Sequence, residues 1–402
     1  MPVDCICRKI VLAESAIRQR EMRLICVIAP KAHMYENPPL FLWSIWSGGM
    51  FRNRVTEILG IEYPILEGGM AIAGNGELAA AISNAGGLGV VSANPGWSPM
   101  DERIENVRHH IRRARALTSK PIGANVPLFF LDNFADRQTA MLIEEKVDVV
   151  ITSGGSPRIL TSTLKKAGIK MIHVVSNVRQ AIGAQAEGVD IVVCEGYEAG
   201  GIEGADELTT MVLTPLVVDA VDIPVVAAGG IADGRGYMAA MALGAEGIQM
   251  GTAFLAASEC HVHQRFKEAI VNSGDAATLM TQRILGRLSR VLKTDYTKKM
   301  YEMDRRNAVD ELKALIASVP PSIVGRNPSP TINGQYRVQM LGDLENGDGA
   351  AGQSAALVRN IRSAADIIAD VISEAEAIAR QWGALAAGAN PGARPARLRS
   401  TA

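Results

Sequence analysis

The 402-residue chain has no apolar run approaching the eighteen or so residues that a bilayer crossing needs, which argues against a membrane protein. It has no excess of charge either. Its 41 Lys and Arg stand against 42 Asp and Glu, a formal net charge of -1, so there is no basic field to attract nucleic acid or anionic lipid. Cysteine is scarce: Cys5, Cys7, Cys26, Cys194 and Cys260 form an odd set without Cys-x-x-Cys spacing, which argues against a disulfide framework and a zinc site and fits a reducing cytoplasm. No Rossmann-type acidic residue follows an early glycine fingerprint, so a preference between NADH and NADPH is not legible.

What the chain has in quantity is short apolar runs that end in glycine. Val225-Val-Ala-Ala-Gly-Gly230 and Gly247-Ile-Gln-Met-Gly-Thr-Ala-Phe254 have the form of buried parallel strands whose carboxyl ends let a ligand approach bare backbone. Two such runs in succession point to a phosphate pocket, as formed by the loops after the last two strands of an eight-stranded α/β barrel.

The same rhythm extends backwards. Strands are expected at Pro64–Leu66, Leu88–Val91, Pro121–Val126, Asp148–Ile151, Met171–Val175, Asp190–Val193, Pro224–Ala227 and Gly247–Met250. Between them lie alanine-rich amphipathic stretches closing on Gly86, Gly168, Gly188 and Gly244, the pattern of a helix whose C-terminal glycine feeds the next strand. An open doubly wound sheet is the rival, but it carries its glycine fingerprint after the first strand, whereas here the strongest glycine loops come late. The fold class is therefore α/β, a (β/α)8 TIM barrel with a small helical subdomain after strand eight.

On this reading residues 1–49 are an N-terminal extension, consistent with a start assigned too far upstream, and 50–260 form the barrel core. Residues 261–350 form a helical lid or substrate subdomain, with helices at Gln264–Asn272 and Met303–Ala317. Residues 351–387 close the barrel, with a helical segment over Ala355–Trp382, and 388–402, rich in Ala, Gly, Pro and Arg, are expected to be disordered.

Glu67-Gly-Gly-Met70, Gly123-Ala-Asn-Val126, Glu195-Gly-Tyr-Glu-Ala-Gly-Gly201, Ala228-Gly-Gly-Ile-Ala-Asp-Gly-Arg-Gly236 and Gln249-Met-Gly-Thr-Ala-Phe254, in that order, resemble the nitronate monooxygenase family. That family, formerly the 2-nitropropane dioxygenases, includes flavin-dependent enoyl-acyl-carrier-protein reductases and NADH:quinone reductases. The resemblance spans about Phe51 to Ile372 and implies an FMN-binding barrel. By it, Gly68, Gly69 and Met70 pass under the flavin, Asn125 bonds the ring edge and Gly200 lies near the cofactor. Gly229, Gly230, Gln249, Met250, Gly251 and Thr252 enclose the phosphate.

Glu195 departs from the glutamine associated with much of the family and is closer to the NADH:quinone reductase branch. Its carboxylate either accepts a hydrogen bond from the flavin or pairs within the barrel rim. Where the family writes Ala-Gly-Gly-His, this chain has Ala199-Gly-Gly-Ile202, and isoleucine cannot act as the base that the histidine supplies. The remaining catalytic candidates are His173, if inward on strand five, and Ser176 at that strand's end, which reads equally as a helix cap; His261 and His263 follow strand eight near the mouth. Glu198, Glu203, Asp206 and Glu207 form an acidic loop that reads as solvated or helix-capping rather than as a metal cage. Ser354 is either a cofactor contact or the cap of the final helix.

The expected function is an FMN-dependent oxidoreductase of the nitronate monooxygenase type. It oxidises alkyl nitronates with O2, transfers hydride from NADH or NADPH to an acceptor such as a quinone, or does both. The alternatives are an enoyl-thioester reductase and a flavin-binding module with little turnover. The expected partner is a small-molecule substrate, with no nucleic acid, metal or membrane, and a homodimer through the outer helices is compatible with the pattern.

Overall fold

The computed structural model describes residues 51–99, 102–130, 135–318 and 330–388. The expectations for residues 1–49 and for the tail beyond Gly388 lie outside the described residues.

Eight parallel strands form the barrel: β1 (Ile65–Glu67), β2 (Gly89–Val91), β3 (Ile122–Pro127), β4 (Val149–Ser153), β5 (Lys170–Val175), β6 (Ile191–Glu195), β8 (Val225–Ala228) and β9 (Gly247–Met250). A two-residue strand, β7 (Gly201–Ile202), leaves the barrel between β6 and β8. The hydrogen-bonded order is β1-β9-β8-β6-β5-β4-β3-β2, and a parallel bridge between Leu66 and Leu88 joins β2 back to β1. All eight strands fall where the Val/Ile runs put them, because a strand covered on both faces must be apolar along its whole length.

Alternation along each strand decides what points inward. Leu66, Leu88, Val90, Val149, Ile151, Ile172, Ile191, Val193, Val226 and Ala228 form one buried cluster inside the barrel. Helix α1 (Arg54–Leu59) adds Val55 and Leu59 to that cluster and so plugs it. Its start is fixed by Asn53, which accepts a hydrogen bond from the Thr56 amide at 3.2 Å in a capping box.

The outer helices are α2 (Gly76–Asn84), α3 (Arg103–Leu117), α4 (Ala135–Glu144), α5 (Arg158–Lys166), α6 (Val178–Ala186), α7 (Thr210–Val218) and α8 (Gly234–Ala242). The four glycines expected to close helices, Gly86, Gly168, Gly188 and Gly244, have φ of 95°, 83°, 83° and 94°. That left-handed turn is strained for a residue with a Cβ.

Beyond β9 come the short α9 (Thr252–Leu255) and α10 (Gln264–Val271), then a hairpin that the local pattern does not announce, β10 (Thr278–Thr281) with β11 (Ser289–Leu292). The antiparallel hairpin pairs with β7 through Ser289↔Ile202 and Arg290↔Gly201, so part of the segment after strand eight, expected to be helical, is sheet. Its strands are only four residues each, and the outer edge of β11 is completed by β7, a partner distant in the chain.

The helix expected over Met303–Ala317 is two helices, α11 (Asp295–Arg305) and α12 (Val309–Ala317). They are divided at Asn307, whose φ of 55° lies in the region asparagine tolerates better than most residues. Helix α13 (Pro330–Leu341) follows, and the chain returns to the barrel through a 3-10 turn at Gln353–Leu357 and α14 (Ala364–Ala386). The last helix therefore begins nine residues later than expected, after the N-cap Ser363, which accepts from the Asp366 amide at 3.0 Å. Among the described residues no helix is long and apolar enough to cross a membrane.

Candidate functional site

The carboxyl ends of the barrel strands open into a cavity of about 450 Å³. Register explains which side chains reach it. Asn125 lies beside inward Ile151, and Glu195 pairs with inward Ala228, which in turn pairs with Gln249, so Asn125, Glu195 and Gln249 form the top inward layer. Met250 has the opposite parity. It pairs with Glu67, is 1% exposed and takes no part in lining the cavity, so among the twelve expected cofactor residues its side chain stands apart. The other eleven, Gly68, Gly69, Met70, Asn125, Glu195, Gly200, Gly229, Gly230, Gln249, Gly251 and Thr252, all border the one cavity.

Two of these glycines are required by close approach. A Cβ on Gly69 would overlap the Asn125 amide, and one on Gly200 would overlap the backbone of Ala351 and Gly352. Asn125 is 5% exposed, and its amide donates to the Ile151 carbonyl at 3.3 Å.

At the other end, Gly229 and Gly230 turn with φ of 99° and 74°. Among the described residues none accepts a hydrogen bond from the amides of Gly229, Gly230, Gly251 or Thr252. Unpartnered amides at strand ends and at the start of a helix make a place for an anion. Thr252 Oγ1 accepts from the Gly352 amide at 2.9 Å, which leaves its own hydroxyl proton free to donate. Gln353 N donates to the Glu198 carbonyl at 2.9 Å, so the returning chain clasps this rim at a second point. Ser354 borders the cavity and does not cap the last helix; Ser363 does.

The histidines divide by environment. On β5 it is Ile172 and Val174 that belong with the inward cluster, so His173 does not take the inward orientation; it borders the cavity from an adjacent position and is 3% exposed. Its Nδ1 lies 2.8 Å from Thr152 Oγ1, and burial pushes its pKa down to about 4, leaving a neutral, weakly basic ring. His263 caps α10 by accepting from the Arg265 amide at 3.1 Å, and His261 lies 3.8 Å from Glu77; neither borders the cavity. Ser176 borders it, but the cap of α6 is Asn177, which accepts from the Gln180 amide at 2.9 Å. Ile202 lines the cavity and is 42% exposed.

The acidic loop after β6 separates into four destinations. Glu198 caps α7, accepting from Thr210 N at 2.8 Å and Thr210 Oγ1 at 3.0 Å. Asp206 accepts from Asn177 at 2.7 Å, and Glu207 forms an ion pair with Arg283. Glu203 is different. It is 8% exposed, borders the cavity and has an Oε1 with no partner among the described residues. Burial raises its pKa, the nearby Glu195 charge raises it further, and Arg290 opposes both. Burial raises Glu195 as well. In this pair, burial together with the Glu195 charge keeps the proton on Glu203, which is the acid at neutral pH, not a base. Among the described residues no group of acids, histidines or cysteines is arranged to hold a metal.

Four further cavity residues carry no local signal in the sequence: Arg287, Gln335, Gln339 and Ala351. They come from the turn of the β10–β11 hairpin, from α13 and from the closing segment, and only the return of the chain over the barrel brings them there. In the sequence Glu203 is visible only as a member of an acidic run.

Known proteins share this outline. The nitronate monooxygenase family matches residues 52–138 and 130–374. A protein named probable nitronate monooxygenase from Staphylococcus saprophyticus is 38% identical over 294 residues, 62% of this chain and 81% of that one. Among solved structures, FabK from Thermotoga maritima is 40% identical with a TM-score of 0.73, covering 83% of this chain and 99% of that one. A nitroalkane oxidase from Streptomyces ansochromogenes is 26% identical with a TM-score of 0.65, covering 82% and 99%.

Proposed function

This chain belongs to the nitronate monooxygenase family of flavin oxidoreductases, and we propose that it binds FMN and passes the hydride of NADH or NADPH to an uncharged acceptor such as a quinone. The residues present fit that cofactor. The bare amides of Gly229, Gly230, Gly251 and Thr252 suit a phosphate. The unpartnered Gln249 Oε1, buried at the inward layer, suits a donor on a polar ring or chain, and Gly69 packed on Asn125 forms a wall of the same cavity. The flavin supplies two-electron chemistry; the protein must orient it, exclude water and manage protons.

The observation that carries the choice of acceptor is the proton inventory of the cavity. Taking a proton from a neutral nitroalkane needs a base near neutrality. The imidazole expected at 202 is isoleucine, and the one imidazole that borders the cavity among the described residues, His173, is held at about 4. Reduction of a quinone needs a proton delivered instead, and Glu203, raised by burial and by the Glu195 charge, retains one. A second reading, oxidation of alkyl nitronates, is favoured by the name of the Staphylococcus relative and requires no base if the nitronate arrives already ionised.

An absorbance spectrum followed by anaerobic titration with each nicotinamide nucleotide tests the proposal. The flavin should bleach with NADH or NADPH and recover on adding a quinone faster than on adding a nitronate or a crotonyl thioester. Purified protein without flavin, or flavin that only a nitronate reduces, would refute it.

A further inference from the structure

We propose that the carboxyl of Glu203 is the proton donor to the acceptor, one residue along from the position where the family carries its imidazole. The inference rests on the reductase reading above and adds to it the residue that completes the reduction.

The Glu203 amide donates to the Leu288 carbonyl at 3.0 Å, and its neighbour Ile202 is paired with Ser289, so the backbone is stitched to the hairpin. On the other side, Gly204 packs against Ser176 so closely that a Cβ there would overlap it. The segment is thus pinned from two directions, and Glu203 borders the cavity. A proton donor needs this kind of preorganised backbone.

Each of the other three acids of the loop has a structural employment: Glu198 on the N-terminus of α7, Asp206 on Asn177, Glu207 on Arg283. Glu203 has an unpartnered Oε1 in a nearly solvent-free position. Burying a charged carboxylate without a partner is costly, so the group stays neutral and holds a proton. The charged groups that face it are Glu195 on β6, Glu198 on the same loop and Arg290 on β11. Arg290 does not neutralise it by contact: its guanidinium donates to the Tyr197 carbonyl at 2.7 and 3.0 Å and to Thr278 at 3.2 Å.

The step balances. A quinone gains two electrons and two protons overall. One proton arrives with the hydride that originates in NAD(P)H. The second crosses from the Glu203 carboxyl to the quinone oxygen; the carboxyl O–H bond breaks, its electron pair remains on the carboxylate, and solvent returns the proton.

The test uses holoprotein reduced anaerobically with dithionite at pH 7, then mixed separately with a quinone and with ferricyanide, which accepts electrons without a proton. Glu203→Gln should lower the ratio of quinone to ferricyanide rate by about 100-fold, the low end for loss of a general acid, while Glu203→Asp restores part of it. Independently of turnover, the infrared difference between wild type and Glu203→Gln should contain the band of a protonated carboxyl at pH 7, and in Glu195→Gln that band should titrate away at lower pH, because the like charge is gone. An unchanged rate ratio, or no carboxyl band in the difference, would overturn the assignment. If neither NADH nor NADPH reduces the flavin, the reductase reading fails, and the dithionite and infrared arms still judge Glu203.

Discussion

The Gly352 amide donates to Thr252 Oγ1 at 2.9 Å, joining residues 100 positions apart at the rim where unpartnered amides gather. The bond does two things at once: it ties the returning chain to the barrel, and it aims the remaining hydroxyl proton of Thr252. Thr252→Val keeps the shape and removes the acceptor, leaving a buried amide unpaired at a cost of about 1–3 kcal/mol. We expect a lower melting temperature and weaker FMN binding by fluorescence titration, with Thr252→Ser close to wild type. Equal FMN affinity in the valine variant would show that this rim does not hold the phosphate.

Ile202 borders the cavity and is 42% exposed, so an imidazole can be accommodated there without repacking the core. Ile202→His should raise single-turnover oxidation of a neutral nitroalkane by about 100-fold, the low range for gain of a general base, and change the reaction of the preformed nitronate little. In the unaltered protein the preformed nitronate should react faster than the nitroalkane. A wild-type protein that prefers the nitroalkane would mean that another base serves the site.

Gly69 has no room for a methyl group because the Asn125 side chain lies against it. Gly69→Ala should therefore displace Asn125 and yield a folded protein that purifies without its yellow colour. Gly274→Ala is the control, since a Cβ there meets only open space. Full flavin occupancy in Gly69→Ala would separate this wall from the cofactor.

His173 governs part of the acid stability. Its folded-state pKa lies at about 4, depressed by burial, against about 6.5 when unfolded, so the unfolded chain takes up the proton first. The native state therefore keeps its full stability above about pH 6.5 and loses it as pH falls towards 4, by up to ~3 kcal/mol for this one group. His173→Gln, which cannot charge, should show a smaller drop in melting temperature between pH 7 and pH 4.5 than wild type. An identical drop in both proteins would mean that the imidazole already carries its proton in the fold.

Strand positions and helix ends are legible in the chain itself because their causes are local. The runs Asp148–Ile151 and Asp190–Val193 each open on an acid and continue in Val and Ile, and each acid then receives a strand amide: Asp148 from Ile122 at 2.8 Å and Asp190 from Met171 at 2.8 Å. Orientation is harder. When every residue of a strand is buried, hydropathy no longer marks the inward face, so Met250 and His173 can be located along their strands but not assigned a side.

The linear order of residues thus determined the beat of eight strands, the glycines that turn the chain between layers, and the loss of an imidazole at position 202, because each depends on a residue and its near neighbours. Only the tertiary structure decided that Glu203 stands unpartnered at the cavity while three adjoining acids are engaged elsewhere, and that the hairpin pins it there. Those relations join segments far apart in the chain, and a carboxyl's protonation is set by what surrounds it in space.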